Sequence, residues 1–236
     1  MELDGNMDFV LCLEVIGTII FALQGSMVAI EYNLDVLGIF VLALTTAVGG
    51  GMTRDIILGN TPPNMFKDPI YCIVAAVVAL LVICTYKIFV KNVNEKTIPY
   101  MRICGNVSDA IGLGIFTVVG MQVSMKQGYM DNAFLCIFVG VITGVGGGML
   151  RDIFVRRTPV ILRKEIYAVA AIIGGILYWH LRKFIDDRYA VYLATSFIVL
   201  IRLLAVKKDL HLPRIKEKEH AVLQLDQNKE TQRRAG

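Results

Sequence analysis

Thr46-Ala47-Val48-Gly49-Gly50-Gly51-Met52-Thr53-Arg54-Asp55-Ile56, closed by Thr61-Pro62, returns 97 positions later as Thr143-Gly144-Val145-Gly146-Gly147-Gly148-Met149-Leu150-Arg151-Asp152-Ile153, closed by Thr158-Pro159. From Thr46 to Pro62, eleven of seventeen aligned positions are identical. The chain is a duplicated unit. Each copy sets three glycines inside an apolar segment, where a helix loses roughly 3 kcal/mol relative to alanine. Two readings account for that cost. The glycines can let two helix backbones approach closely, or they can bend or break a membrane helix and turn its carbonyls toward a wet ion path, and both can hold at once.

The composition is that of an integral membrane protein. Hydrophobic residues make up 56% of the 236 positions, and the mean hydropathy is +0.61, well outside the range of soluble domains. Glu2, Asp4 and Asp8 precede the first apolar run and no basic residue does. That segment therefore reads as a retained helix and not as a cleaved signal. Cys12, Cys72, Cys84, Cys104 and Cys136 form no C-x-x-C pair and have no nearby histidine, so they read as small buried packing residues and no metal site is expected.

Seven apolar runs approach the ~20 residues that cross a bilayer, over Phe9–Ile30, Val36–Leu58, Pro69–Val90, Ile103–Met125, Asn132–Val155, Ile166–Leu181 and Tyr189–Val206. The repeat extends to the first helix of each unit, because Glu14, Gly17, Phe21 and Gly25 align with Asp109, Gly112, Phe116 and Gly120 at an offset of 95. Each unit is thus three helices, over residues 8–91 and 103–184, followed by a seventh helix at 188–206 and a polar, disordered cytoplasmic tail at 207–236. A three-helix unit crosses the membrane an odd number of times, so its tandem copy enters from the opposite side as an inverted repeat. The fold class is all-α, with seven transmembrane helices.

Lys87, Lys91, Lys96, Arg102, Arg151, Arg156, Arg157, Arg163, Lys164 and the basic tail fall on one side, against fewer basic residues on the other. This bias places the N-terminus outside and the C-terminus in the cytoplasm. The seventh helix carries no motif and reads as a scaffold, with Arg202 near enough to its end to snorkel.

An interruption at the glycines would leave half-helix carbonyls, with their negative dipole end, at membrane depth. Thr45, Thr46 and Thr143 could add hydroxyl oxygens there or simply satisfy the backbone. Charges as deep as Arg54, Asp55, Arg151 and Asp152 face a bundle interior or a wet cavity. Adjacent residues point about 100° apart on a helix and pair poorly. The repeat therefore predicts Arg54 with Asp152 and Arg151 with Asp55, with Glu14 and Asp109 as alternative partners. These charges either pin the helices or serve a cation route.

The doubled V-G-G-G-M-x-R-D-I-x4-T-P pattern, on the second helix of each three-helix unit and followed by a seventh helix, resembles the prokaryotic branch of the trimeric intracellular cation (TRIC) channels. That group was earlier catalogued as a glycine-transporter domain family. The resemblance implies a homotrimer in the bacterial inner membrane. It implies one potassium-permeable pore in each protomer, lined by helices 1, 2, 4 and 5 and kinked at Gly49-Gly50-Gly51 and Gly146-Gly147-Gly148. The permeant ion would be K+, with Na+ as a second candidate. Bound lipid is a candidate partner; no cofactor, resident metal or nucleic acid is expected. The alternative function is secondary transport of a small zwitterion such as glycine, with Glu14 or Asp109 holding the amine. No nucleophile-base pair or P-loop suggests an enzyme.

Overall fold

The computed structural model describes residues 2–89, 97–163 and 166–208. The expected tail lies, from residue 209 on, outside the described residues. So do Lys91, Lys96 and Lys164, and the side chains of Lys87, Arg102 and Arg163. Among the described residues the fold is entirely helical: α1 (Glu2–Glu31), α2 (Val36–Ile57), α3 (Asn64–Lys67), α4 (Ile70–Phe89), α5 (Thr97–Ser124), a π-helical turn at Met125–Tyr129, α6 (Ala133–Phe154), α7 (Val160–Arg163), α8 (Ile166–Leu181) and α9 (Asp187–Lys207). Apolar chains in lipid must satisfy their backbone locally, and helices do so.

Five of these helices have segments long and apolar enough to cross a membrane: Phe9–Glu31, Val36–Ile57, Ile103–Tyr129, Ala133–Phe154 and Asp187–Lys207. Ile70–Tyr86 and Ile166–Leu181 are apolar but shorter. At 1.5 Å per residue, the last of these spans only about 24 Å. The fourth sequence segment begins earlier than expected, at Thr97, with Pro99 in the first turn of α5, where no intrahelical N–H is lost.

Equivalent residues shape equivalent ends. Asp35 caps α2 by accepting from the Gly38 N–H at 2.7 Å, and Asn132 caps α6 by accepting from the Leu135 N–H at 3.0 Å. Both helices stop before their Thr-Pro pairs, at left-handed residues in corresponding positions: Gly59 (φ 74°) and Arg156 (φ 53°). Asn60 N–H then donates to the Asp55 carbonyl, and Arg157 N–H to the Asp152 carbonyl, both at 2.8 Å. These are the bonds of a Schellman-type ending.

α2 and α6 pack on one another at the centre, flanked by α1 and α5, with α4 against α1 and α2 and α8 against α5 and α6. α9 packs on α5 and α8. One apolar core lies among α1, α2 and α4, around Phe21, Leu42 and Ala79. Another lies among α5, α6, α8 and α9, around Leu113, Met121, Tyr178 and Ile198. The cysteine expectation is corrected: Cys136 is buried, but Cys12, Cys84 and Cys104 are exposed. In lipid the outer surface is apolar too, so a small apolar residue has no reason to turn inward.

Candidate functional site: two charged clusters beside a glycine crossing

The helix interruption expected at the glycines is absent. α2 and α6 run as continuous helices through Gly49–Gly51 and Gly146–Gly148. Their first two glycines make the close approach instead. A Cβ on Gly50 would collide with the Thr143 carbonyl oxygen, and one on Gly147 with the Thr46 carbonyl oxygen. Gly49 faces Leu150, and a Cβ on Gly146 would lie 3.0 Å from the Gly50 Cα. These carbonyls are covered by a neighbouring backbone and are not released toward water. Thr45, Thr46 and Thr143 each donate a hydroxyl to the carbonyl four residues earlier in their own helix, at 2.7, 2.6 and 2.6 Å. They satisfy their own backbone.

The contacts around the crossing are reciprocal. Gly25 abuts Thr46 as Gly120 abuts Thr143, and Gly17 meets Phe116 as Gly112 meets Phe21. The Phe21 and Phe116 rings lie 5.0 Å apart between them.

The third glycine of each triplet behaves differently. Beyond its own helix backbone, Gly51 has no atom nearer its Cβ position than the Arg54 guanidinium at 3.8 Å. It lines a small open cavity of about 30 Å³, room for a water or two, with Glu14, Thr18, Arg54, Asp55, Tyr71 and Phe116. Gly148 instead meets the Tyr167 hydroxyl at 3.4 Å and an Asp109 oxygen at 3.7 Å. The third glycines therefore face the charges.

Those charges do not pair across the copies. Arg54 donates from Nε to Asp55 Oδ1 and from Nη1 to Glu14 Oε1, both at 2.8 Å. Arg151 donates to Asp152 Oδ1 from Nε at 2.8 Å and lies 3.4 Å from Asp109 Oδ1. The predicted pairs Arg54 with Asp152 and Arg151 with Asp55 are replaced by adjacent pairs plus the acid on α1 or α5. The guanidinium fork sits at the end of a long, flexible stem, so it curls back to its neighbour and still reaches another helix. The second oxygen of each aspartate is claimed by a backbone N–H just past the helix end: Asn64 N–H to Asp55 at 2.8 Å and Val160 N–H to Asp152 at 2.9 Å. Buried ion pairs in lipid need this saturation of their remaining lone pairs.

Four participants were missed in the sequence. Tyr71 donates to Glu14 Oε2 at 2.7 Å, and Tyr167 lies 3.4 Å from Asp109 Oδ1. Their 96-residue separation was a legible signal, because Ile70-Tyr71 and Ile166-Tyr167 open equivalent helices. Gln24 Nε2 donates to Asp109 Oδ1 at 2.7 Å, and Arg157 Nη2 to Asp152 Oδ1 at 2.6 Å. Both lack a repeat partner of the same kind and gave no pattern. Arg202 also departs from expectation. It is 3% exposed and holds its guanidinium 4.7 Å above the Tyr167 ring instead of snorkelling, so α9 supplies charge to the second cluster.

The clusters differ in access. The Glu14 side chain is 13% exposed at its cavity, whereas Asp109 and Asp152 are 6% and 0% exposed. An open, net-acidic cavity next to a close backbone crossing suits the transient binding of a cation.

The comparisons with known proteins agree with that geometry. Residues 11–87 and 106–183 match the family model described as Glycine transporter, one segment in each copy. The inner membrane protein YadS of Escherichia coli is 37% identical over 207 residues, covering 85% of this chain and 93% of its own. The membrane protein YvgT of Bacillus subtilis is 33% identical, covering 85% and 94%. Among solved structures, one reported for the structural basis of conductance through TRIC cation channels is 33% identical, with a TM-score of 0.73 over 87% of this chain and 97% of that one. The TRIC trimeric intracellular cation channel orthologue from Rhodobacter sphaeroides is 30% identical, with a TM-score of 0.76 over 86% and 99%. With its paired glycine triplets, its two acid-arginine clusters and these relatives across most of its length, the chain belongs to the prokaryotic trimeric intracellular cation channel family, which the family model describes as Glycine transporter.

Proposed function

We propose that this protein is a potassium-permeable channel of the bacterial inner membrane, with a pore inside each protomer between α1, α2, α5 and α6. The observation that carries this reading is the cavity where Glu14 and Asp55 meet Gly51, in a chain whose structural neighbours are cation channels. The two carboxylates outnumber the single guanidinium of Arg54, so a monovalent cation gains attraction there without the deep binding that would trap it. Passive flux needs no cofactor.

Seven spanning helices, as two inverted triplets plus α9, fit the reciprocal contacts at the crossing, because exchange of contact partners is what a two-fold relation produces. An N-out, C-in orientation opens the Glu14 cavity to the outside and turns the Arg157 loop to the cytoplasm. Three copies assemble as a trimer, as in the solved relative named for that state.

Single-channel recording in asymmetric potassium chloride tests the reading. The expected reversal potential lies toward the potassium equilibrium value, and Glu14→Gln lowers conductance by about threefold, the effect of one unit charge roughly 7 Å from an ion in a water-like dielectric. Glycine uptake into proteoliposomes without ion current would establish transport instead.

A further inference from the structure

The clusters are built from repeated residues, but two positions break the repeat and both act on the second cluster. Asn60 and Arg157 are equivalent in the alignment. The Asn60 side chain bonds Asn64 at 3.1 Å and Lys67 at 2.5 Å and makes no hydrogen bond to the Asp55 carboxylate. Arg157 places Nη2 2.6 Å from Asp152 Oδ1, and its buried Nε has no hydrogen-bond partner among the described residues. Gln24 and Val119 are the second pair. Gln24 binds Asp109, whereas Val119 packs with Val10 and Leu13 and gives Glu14 no hydrogen bond.

The consequence is electrical. In the first cluster two carboxylates meet one guanidinium beside an open cavity, and at its rim exposed Lys67 and Asp68 offset one another. The second cluster sets two carboxylates against the two guanidiniums of Arg151 and Arg157. Arg202 is a third cation behind Tyr167, and Arg156 is exposed at the rim.

We propose that Arg157 makes the pore rectify: it cancels the acid charge at the cytoplasmic half, so cations entering from the Glu14 side pass more readily than those entering from the Asp152 side. This rests on the channel reading above. Mouth charge acts through local ion concentration, so the asymmetry must shrink as salt shortens the screening length from about 10 Å at 0.1 M to about 3 Å at 1 M.

The test uses full-length protein in patches from giant bacterial spheroplasts, where biosynthetic insertion fixes the orientation. Wild type is expected to carry larger inward than outward potassium current in symmetric 0.1 M salt, by about threefold for one unit charge roughly 7 Å from the ion, and nearly equal currents at 1 M. Arg157→Asn brings the ratio near one by raising outward current, and Arg157→Lys keeps the wild-type ratio. Asn60→Arg brings the ratio near one by lowering inward current, and the double exchange inverts it. The Asn60 variant also carries the test if Arg157→Asn fails to assemble. An Arg157→Asn channel with the wild-type ratio and salt dependence overturns the proposal, since an arginine that only caps Asp152 would alter stability and leave rectification in place. Wild-type protein that inserts but passes no current overturns the channel reading and this inference together.

Discussion

Gly50 and Gly147 are glycines because a neighbouring carbonyl oxygen occupies the space a methyl group would need. Gly51 carries no such constraint and lines the cavity. The triplet therefore divides between packing and lining, a distinction that three identical letters cannot convey. Gly50→Ala and Gly147→Ala are each expected to lower stability by about 1–3 kcal/mol, the usual cost of overpacking, read as a fall in melting temperature in detergent. Gly51→Ala should keep or raise that temperature, because alanine favours the helix by about 1 kcal/mol, while reducing conductance at the narrowed cavity. Equal destabilisation by all three would contradict this division.

At the scale of elements, α1 and α5 each present one acid to the central pair, but they are held differently. Glu14 on α1 is bonded by Arg54 and by Tyr71 from α4, beside space that admits water. Asp109 on α5 is enclosed, and its shortest bond comes from Gln24 on α1. A lost donor at the cavity can be replaced by solvent; a lost donor at Asp109 cannot. Gln24→Leu is accordingly expected to cost about 1.5–3 kcal/mol, the range for hydrogen bonds to charged groups, and Tyr71→Phe clearly less. Chemical denaturation of the two variants side by side checks the order, and a costlier Tyr71→Phe would show that the cavity is dry.

Across the whole molecule, the proposed inverted arrangement with its N-terminus outside makes a claim about sides. A cysteine placed at exposed Asp186, before α9, should react with a membrane-impermeant maleimide in intact cells, and one placed at exposed Arg156 only after permeabilisation. The reverse pattern would turn the protein, and the direction of its rectification, around. The duplication, the helical membrane fold, the family and the repeated charges Glu14, Arg54, Asp55, Asp109, Arg151 and Asp152 were legible in the amino-acid sequence, because identical motifs at a fixed offset and long apolar runs depend on local chemistry alone; Gln24 and Arg157, which have no counterpart in the other copy, were not. Partner choice was not. Arg54 and Arg151 reach their adjacent aspartates and the acids of α1 and α5 instead of crossing between copies, because side-chain reach and the free N–H groups of Asn64 and Val160 are settled only once the helices pack. The continuity of α2 and α6 through the glycines, the inward turn of Arg202 and the unequal access to Glu14 and Asp109 were likewise decided by tertiary structure. Each depends on which atom of another helix fills the space beside it, and nothing in a single segment specifies that neighbour.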